Sequence, residues 1–146
     1  MPKQEKYQTL LPQIESLVAG ETDAIANMAN VAAALHEAFG FWWTGFYRVE
    51  GQQLVLAPFQ GPIACTRIPY GKGVCGTAWQ QAQTVIVPNV HEFAGHIACS
   101  SASNSEIVVP ILHDGRLGAV LDIDSTDFGT FDDTDKYFLE KIVAFL

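Results

Sequence analysis

The sequence is poor in basic residues: the 146-residue chain has 8 Lys and Arg against 16 Asp and Glu, a net charge of −8. No basic run stands out, so the chain lacks the positive surface that nucleic acids and anionic membranes require. It also lacks any apolar run near the ~18 residues of a membrane span, and its first residues contain no signal-peptide core. We therefore expect a cytoplasmic protein that binds neither nucleic acid nor membrane.

Cysteine is scarce as well, with three residues in the chain. An odd number argues against a structural disulfide framework, and in a reducing compartment such cysteines are free thiols, metal ligands or redox-active groups. Hydrophobic residues make up 49% of the chain and charged residues 16%, which is typical of a globular protein. The length predicts one domain that spans residues 1–146.

Hydrophobic periodicity predicts helices at both ends of the chain and strands between them. The first helix has Leu10 to Val18 on its apolar face, and Thr22 is the predicted cap of the second, whose apolar face begins at Ile25. A short helix falls within 71–83, and a last helix begins near Asp132. The predicted strands lie at 42–49, 53–60, 65–69, 84–88, 106–112 and 116–125. Consecutive hairpins rather than strand–helix–strand crossovers predict an antiparallel sheet with helices packed on it.

Acidic side chains interrupt an otherwise apolar strand. Asp122 and Asp124 in VLDIDS face the same way because side chains alternate along a strand, while the alternate positions from Leu117 onward supply core. A solvated outer sheet face explains two such acids, and so does a polar pocket in which one carboxyl keeps its proton. By the same alternation Trp43 and Tyr47 share one face of the first strand.

The cysteines stand in different surroundings. Cys99 lies among small polar residues in HIACSSASNSEIVVP, whereas buried structural cysteines usually lie in apolar runs. Cys75 falls near the start of a predicted helix in GKGVCG, where the helix terminus and Lys72 favour the thiolate, and Cys65 flanks the same loop. GKGVCG also matches G-x-G-x-x-G but lacks the following acid of a dinucleotide site. We therefore predict thiol redox chemistry rather than nucleotide binding.

A metal site is the less favoured interpretation of the loop before residue 106. His91, His96 and Cys99 have the spacing H-x4-H-x2-C, which lacks the paired ligands of usual zinc sites. A fourth ligand would have to come from Cys65 or Cys75. We expect both histidines to lie in a surface loop, and no metal to be bound.

Four motifs carry a resemblance to a known family. WTGFYRV, LVLAPFQGPIACTRIPYGKGVCGTAW, HIACSSASNSEIVVP and GAVLDIDS follow one another between Trp43 and Ser125. Together they resemble the free methionine-(R)-sulfoxide reductases, which are small enzymes built on one GAF domain. The resemblance implies an α+β fold with a six-stranded antiparallel sheet flanked by helices, often as a homodimer. It also implies reduction of free methionine (R)-sulfoxide without a bound cofactor, and recycling by thioredoxin.

The resemblance gives all three cysteines a redox role. Cys99 matches the attacking cysteine, and Cys65 and Cys75 match the cysteines that resolve it. Attack on a sulfoxide requires that its oxygen be protonated or strongly hydrogen-bonded, and a protonated acid would supply that proton. The residues that match the pocket acids and the aromatic part of the substrate site are Glu106, Asp122, Asp124, Trp43 and Tyr47.

Two other functions use parts of the same pattern. A non-catalytic GAF module would bind a cyclic nucleotide or another small molecule, although an acid-lined pocket repels phosphate. A thiol redox sensor would use the cysteines to switch a partner contact, but it would need neither the acids nor the aromatic pair. Turnover of free methionine (R)-sulfoxide distinguishes the enzyme from both.

Overall fold

The structure is a computed structural model that describes residues 1–97 and 102–146. Its helices are α1 (Lys3–Val18), α2 (Ala24–Phe39), α3 (Gly73–Gln81) and α4 (Asp133–Val143). Its strands are β1 (Trp43–Glu50), β2 (Gln53–Gln60), β3 (Arg67–Pro69), β4 (Val85–Val87), β5 (Ser105–His113) and β6 (Arg116–Ser125). None of the helices that it describes is long and apolar enough to cross a membrane.

The strands form one six-stranded antiparallel sheet in the order β3-β2-β1-β6-β5-β4. This confirms the α+β fold and the six-stranded sheet that the resemblance implies. The hairpin between β5 and β6 turns at Asp114 and Gly115, which have φ values of 54° and 76°. Two consecutive left-handed residues are typical of the tight hairpin turns that favour Asp-Gly, so this predicted turn is confirmed.

Helix α2 begins one residue later than predicted. Asp23, not Thr22, is its N-cap, and the Asp23 side chain accepts a hydrogen bond of 2.9 Å from the Ala26 backbone. Ile25 is 57% exposed, so the first turn of the predicted apolar face does not contribute to the core. The buried residues of the helix are Asn27, Met28, Val31, Ala32 and Leu35.

The two faces of the sheet pack against different helices. One face, with Leu121 and Ile123, joins α1, α2 and α4 in the larger hydrophobic cluster. The other face, with Val108 and Val120, packs against α3 in a smaller cluster. Leu117 joins this smaller cluster, contrary to the predicted alternation. The reason is a register shift between β5 and β6 near Ile111, because an extra residue in a strand reverses which face follows.

A buried polar contact joins the first and last helices. The Tyr7 hydroxyl donates to Asp135 Oδ1 at 2.6 Å, and Lys3 Nζ lies 2.6 Å from Asp135 Oδ2. Asp135 is 1% exposed, so both partners are needed to compensate its burial. This contact belongs to the face of the sheet opposite α3.

Candidate active site

Strand register places two of the three predicted acids and the first aromatic residue in one row of the sheet. Trp43 of β1 lies opposite Asp124 of β6, and Asp124 lies opposite Glu106 of β5. In the next row on the same face, Asp122 lies between Gly45 and Val108. Glu106 and Asp122 are 6% and 5% exposed, which rules out a solvated outer sheet face for them. The polar-pocket interpretation is therefore correct for Asp122, and the half-buried Asp124 lines the same pocket.

Burial controls the charge of the acid cluster. It raises the pKa of Glu106 well above its ordinary value, and the charges of Asp122 and Asp124 raise it further. Burial also raises the pKa of Asp122 and of Asp124, but hydrogen bonding to Glu106 opposes that effect in both. Since neighbouring carboxyls repel when all are ionised, the cluster retains a proton, and the pKa values of both Glu106 and Asp124 are raised well above their ordinary values.

Cys75 faces these acids from the first turn of α3. It is a buried free thiol, 3% exposed. Burial raises the pKa of the Cys75 thiol well above its ordinary value, and the charges of Asp122 and Glu106 add to the effect. The predicted thiolate at this position is therefore wrong. The helix terminus and the exposed Lys72 do not outweigh burial beside three acids.

Aromatic rings form one wall of the pocket. The ring centroids of Trp43 and Tyr47 are 6.0 Å apart, and those of Trp43 and Phe59 are 5.2 Å apart. Trp43 Nε1 donates to the Pro62 carbonyl at 3.0 Å, and the Tyr47 hydroxyl donates to the Cys65 carbonyl at 2.8 Å. The donors of both rings are thus engaged with the backbone of one loop, and the rings contribute apolar surface to the pocket.

Two further polar side chains line the same pocket. The Ser103 side chain is buried, and its hydroxyl has no hydrogen-bond partner within 1–97 and 102–146. His96 Nε2 lies 3.9 Å from Glu106 Oε1, and burial lowers the pKa of this imidazole, with a smaller effect from His91. His91 itself is exposed and lies 2.8 Å from Asn104 Oδ1. The surface-loop expectation is therefore confirmed for His91 and wrong for His96.

The glycines of the GKGVCG motif have a packing role. A Cβ added at Gly76 would lie 2.7 Å from the Pro69 carbonyl oxygen, and one at Gly73 would lie 3.2 Å from the Ile97 side chain. Gly73 also has a φ of 62°, a conformation that favours glycine. These glycines bring α3 close to β3 and to the loop that carries His96, which accounts for the motif without a nucleotide.

Comparison with known proteins identifies the family. The GAF domain family matches residues 19–146. The chain is 50% identical to the free methionine-R-sulfoxide reductase of Escherichia coli (strain K12), covering 99% of this chain and 88% of that protein. The X-ray structure of free methionine-R-sulfoxide reductase from Neisseria meningitidis in complex with its substrate has a TM-score of 0.98 and 55% identity, covering 99% of this chain and 88% of that one. This chain belongs to the free methionine-R-sulfoxide reductase family of GAF domains.

High sequence identity is not confined to proteins named as reductases. GAF domain-containing protein A of Dictyostelium discoideum is 59% identical, over 99% of this chain and 92% of that protein. The residues that carry the resemblance to the reductase family nevertheless come together in the structure. The acids, Cys75 and the aromatic pair line one pocket: Trp43, Tyr47, Cys75, Glu106, Asp122 and Asp124.

Two of the predicted cysteines, Cys65 and Cys99, are not among the described residues that line this pocket. Cys65 belongs to the loop held by Trp43 and Tyr47, and Cys99 lies outside the described residues. The redox roles that the reductase family implies for them remain predictions. Conversely, sequence reasoning missed Ser103 entirely, because it is one serine among several in a small polar stretch. A buried serine has no signal in a single sequence that separates it from its exposed neighbours.

Proposed function

We propose that this chain reduces free methionine (R)-sulfoxide to methionine. Family membership supports the reaction class. The observation that carries the proposal is the acid cluster that shares a pocket with the aromatic pair, in which the buried Glu106 is hydrogen-bonded to both Asp122 and Asp124. Burying like charges costs free energy, so their retention in one pocket points to a ligand or a reaction that needs them.

The chemistry begins with Cys99 as the nucleophile. Its thiolate attacks the sulfoxide sulfur while Glu106 gives a proton to the sulfoxide oxygen. The protonated oxygen then passes from the substrate sulfur to the Cys99 sulfur, and the transient sulfur–sulfur bond breaks. Methionine leaves as the two-electron-reduced product, and Cys99 carries the oxygen as a sulfenic acid. The raised pKa of Cys75 disfavours it as the attacking group and supports the assignment to Cys99.

Regeneration requires a second thiol of the chain. Cys75 or Cys65 condenses with the sulfenic acid, a disulfide forms, and water is released. An external dithiol, for which we propose thioredoxin, reduces that disulfide by exchange. The reaction then needs no bound cofactor. We further propose that the enzyme acts in the cytoplasm as a homodimer, with residues 1–146 forming one GAF domain.

The pocket has complementary groups for a free amino acid. Asp122 and Asp124 are suited to the substrate ammonium group once Glu106 carries the shared proton. Trp43 offers a ring face to the methyl group because its indole nitrogen is engaged with Pro62. The unpartnered Ser103 hydroxyl supplies a donor for the substrate carboxylate. A peptide-linked methionine sulfoxide lacks both charges, so it is excluded.

The test is to supply the R and S epimers of free methionine sulfoxide separately with a dithiol, and to follow methionine formation. We expect turnover of the R epimer and its abolition in Cys99→Ser, whereas Ser16→Ala, a change at an exposed serine of α1, leaves the rate unchanged. Full activity in Cys99→Ser would reassign the nucleophile. Absence of turnover in the unaltered protein would overturn the enzymatic proposal in favour of a binding module or a thiol sensor.

A further inference from the structure

Three pocket residues to which the proposed reaction gives separate roles, Cys75, Glu106 and Asp122, also lie close enough together to bind one metal ion. Cys75 Sγ and carboxylate oxygens of Glu106 and Asp122 all lie within 4.8 Å of one another, and all three residues are buried. They come from α3, β5 and β6, so three separate elements hold them in place. In the part of the chain that the structure describes, this is the single group of three such residues with that spacing.

A second observation concerns individual polar atoms in this pocket. Asp122 Oδ1 is buried and has no hydrogen-bond partner among residues 1–97 and 102–146, and the same is true of Ser103 Oγ in the same pocket. Buried polar atoms without partners are rare in folded proteins because each costs free energy. No Lys or Arg occurs among the described residues that line the pocket. The cluster therefore has anionic ligand atoms and no resident positive charge.

The donor set selects the kind of cation. Mg²⁺ and Ca²⁺ prefer oxygen ligands alone, whereas a cysteine sulfur favours zinc and its softer relatives. Zinc takes Cys sulfur at about 2.3 Å and carboxylate oxygen at about 2.0–2.2 Å, usually with four ligands in a tetrahedron. His96 Nε2 lies 3.9 Å from Glu106 Oε1 but is not one of the three grouped residues, so it would have to move toward them to act as a fourth ligand. This set differs from the His91, His96 and Cys99 spacing discussed for the sequence.

We propose that the pocket binds one zinc or cadmium ion through Cys75, Glu106 and Asp122, and that the bound metal and methionine sulfoxide exclude each other. The ion displaces the thiol proton of Cys75 and the carboxyl proton of the cluster to solvent, and no redox change occurs. Metal binding itself is independent of the proposed reaction. Only the exclusion of the sulfoxide rests on it, because the metal would occupy the acids that bind and protonate the substrate.

Cadmium chloride is a direct probe of this site, because a cadmium–thiolate bond has a strong ultraviolet charge-transfer absorption. The double variant Cys65→Ser/Cys99→Ser leaves Cys75 as the one thiol of the full chain. We expect one equivalent of cadmium to saturate the absorption in this variant. Adding Cys75→Ser should abolish the band, and adding Asp122→Asn should weaken cadmium binding at least tenfold. Adding Glu37→Gln, at an exposed acid of α2, should change nothing.

Far-ultraviolet circular dichroism of each variant shows whether it is folded, and Asp122→Asn provides the decisive result if Cys75→Ser unfolds. Equal cadmium affinity in folded Asp122→Asn, or a band that persists without Cys75, would overturn the site. Saturating free methionine sulfoxide should raise the apparent cadmium dissociation constant in the double variant. Cadmium binding that is indifferent to the sulfoxide would overturn the mutual exclusion. Cadmium binding by a protein without turnover would instead contradict the proposed function and leave the metal site standing.

Discussion

Replacing Glu106 with glutamine should stabilise the folded protein at high pH while lowering kcat by about 100-fold or more. Glu106 is buried, and its pKa is raised above the ordinary carboxyl value of about 4.3. An acid whose pKa is raised in the folded state contributes most to stability when the pH is at or below its pKa in the unfolded chain. Stability then falls as the pH rises through the folded-state pKa, where the buried group must ionise. Glutamine keeps the shape of the protonated acid and has no charge to bury.

The size of the effect follows from linkage. Each unit by which burial raises the pKa costs about 1.4 kcal/mol of folding free energy above both pKa values. For a chain of this length, 1 kcal/mol corresponds to a change of about 3 °C in Tm. For each unit by which burial raises the pKa of Glu106, Glu106→Gln should therefore raise the Tm by about 4 °C at alkaline pH. Loss of the proton donor should lower kcat by about 100-fold or more.

Thermal unfolding between pH 5 and pH 8.5 measures this directly. The Tm of the unaltered protein should fall across the range. The Tm of Glu106→Gln should fall less, because one buried acid is gone, but it should still fall because Asp122 and Asp124 still titrate. Glu37→Gln removes an exposed acid from α2 and should follow the unaltered protein. A Glu106→Gln curve that runs parallel to the unaltered protein, or a lower Tm at pH 8.5, would refute the assignment of the shared proton to Glu106.

Three further substitutions have defined outcomes. Gly45→Ala places a Cβ against the Phe59 Cβ and the Trp43 ring, so it should cost about 1–3 kcal/mol of stability and lower kcat/KM by displacing Trp43. Unfolding and rate measurements should show no such effects for the control Gly118→Ala, because Gly118 has open space around it. Ser103→Ala should raise KM about tenfold or more with little change in kcat, since a hydrogen bond to a charged group is worth about 1.5–3 kcal/mol. An unchanged KM would contradict its proposed contact with the substrate carboxylate. Tyr7→Phe should lower the Tm by about 5–9 °C without affecting turnover, because it removes a donor to a buried carboxylate. The matched change at Tyr137, which is 57% exposed, should leave the Tm unchanged.

The fold was largely predictable because its strands have strong local signals. The Asp-Gly turn, the paired apolar runs and the side-chain alternation were enough to predict the β5–β6 hairpin and the common face of Asp122 and Asp124. Alternation failed at Leu117, since a register shift is a property of two paired strands rather than of one segment. The cap of α2 was misplaced from Asp23 to Thr22 because both residue types are good N-caps.

The site was predictable in its membership and less so in its electrostatics. The resemblance to a known family named Glu106, and register confirmed that it lies beside Asp124. The predicted thiolate at Cys75 was wrong because a helix N-terminus and a nearby lysine can be read from the sequence, whereas burial beside acids cannot. For the same reason His96, which enters the pocket, was not separable from His91, which does not.

The cost of burying the acids and the selectivity proposed for the pocket have one origin. Carboxyls in a pocket without Lys or Arg among its described lining residues can hold only as much negative charge as protons or a cationic ligand neutralise. A free amino acid brings an ammonium group, and a zinc or cadmium ion brings two positive charges, whereas a methionine sulfoxide within a peptide brings neither. Exclusion of peptide substrates therefore does not depend on the shape of the pocket alone. It follows that a change which neutralises the cluster, such as Glu106→Gln, should weaken cadmium binding and raise alkaline stability in the same protein.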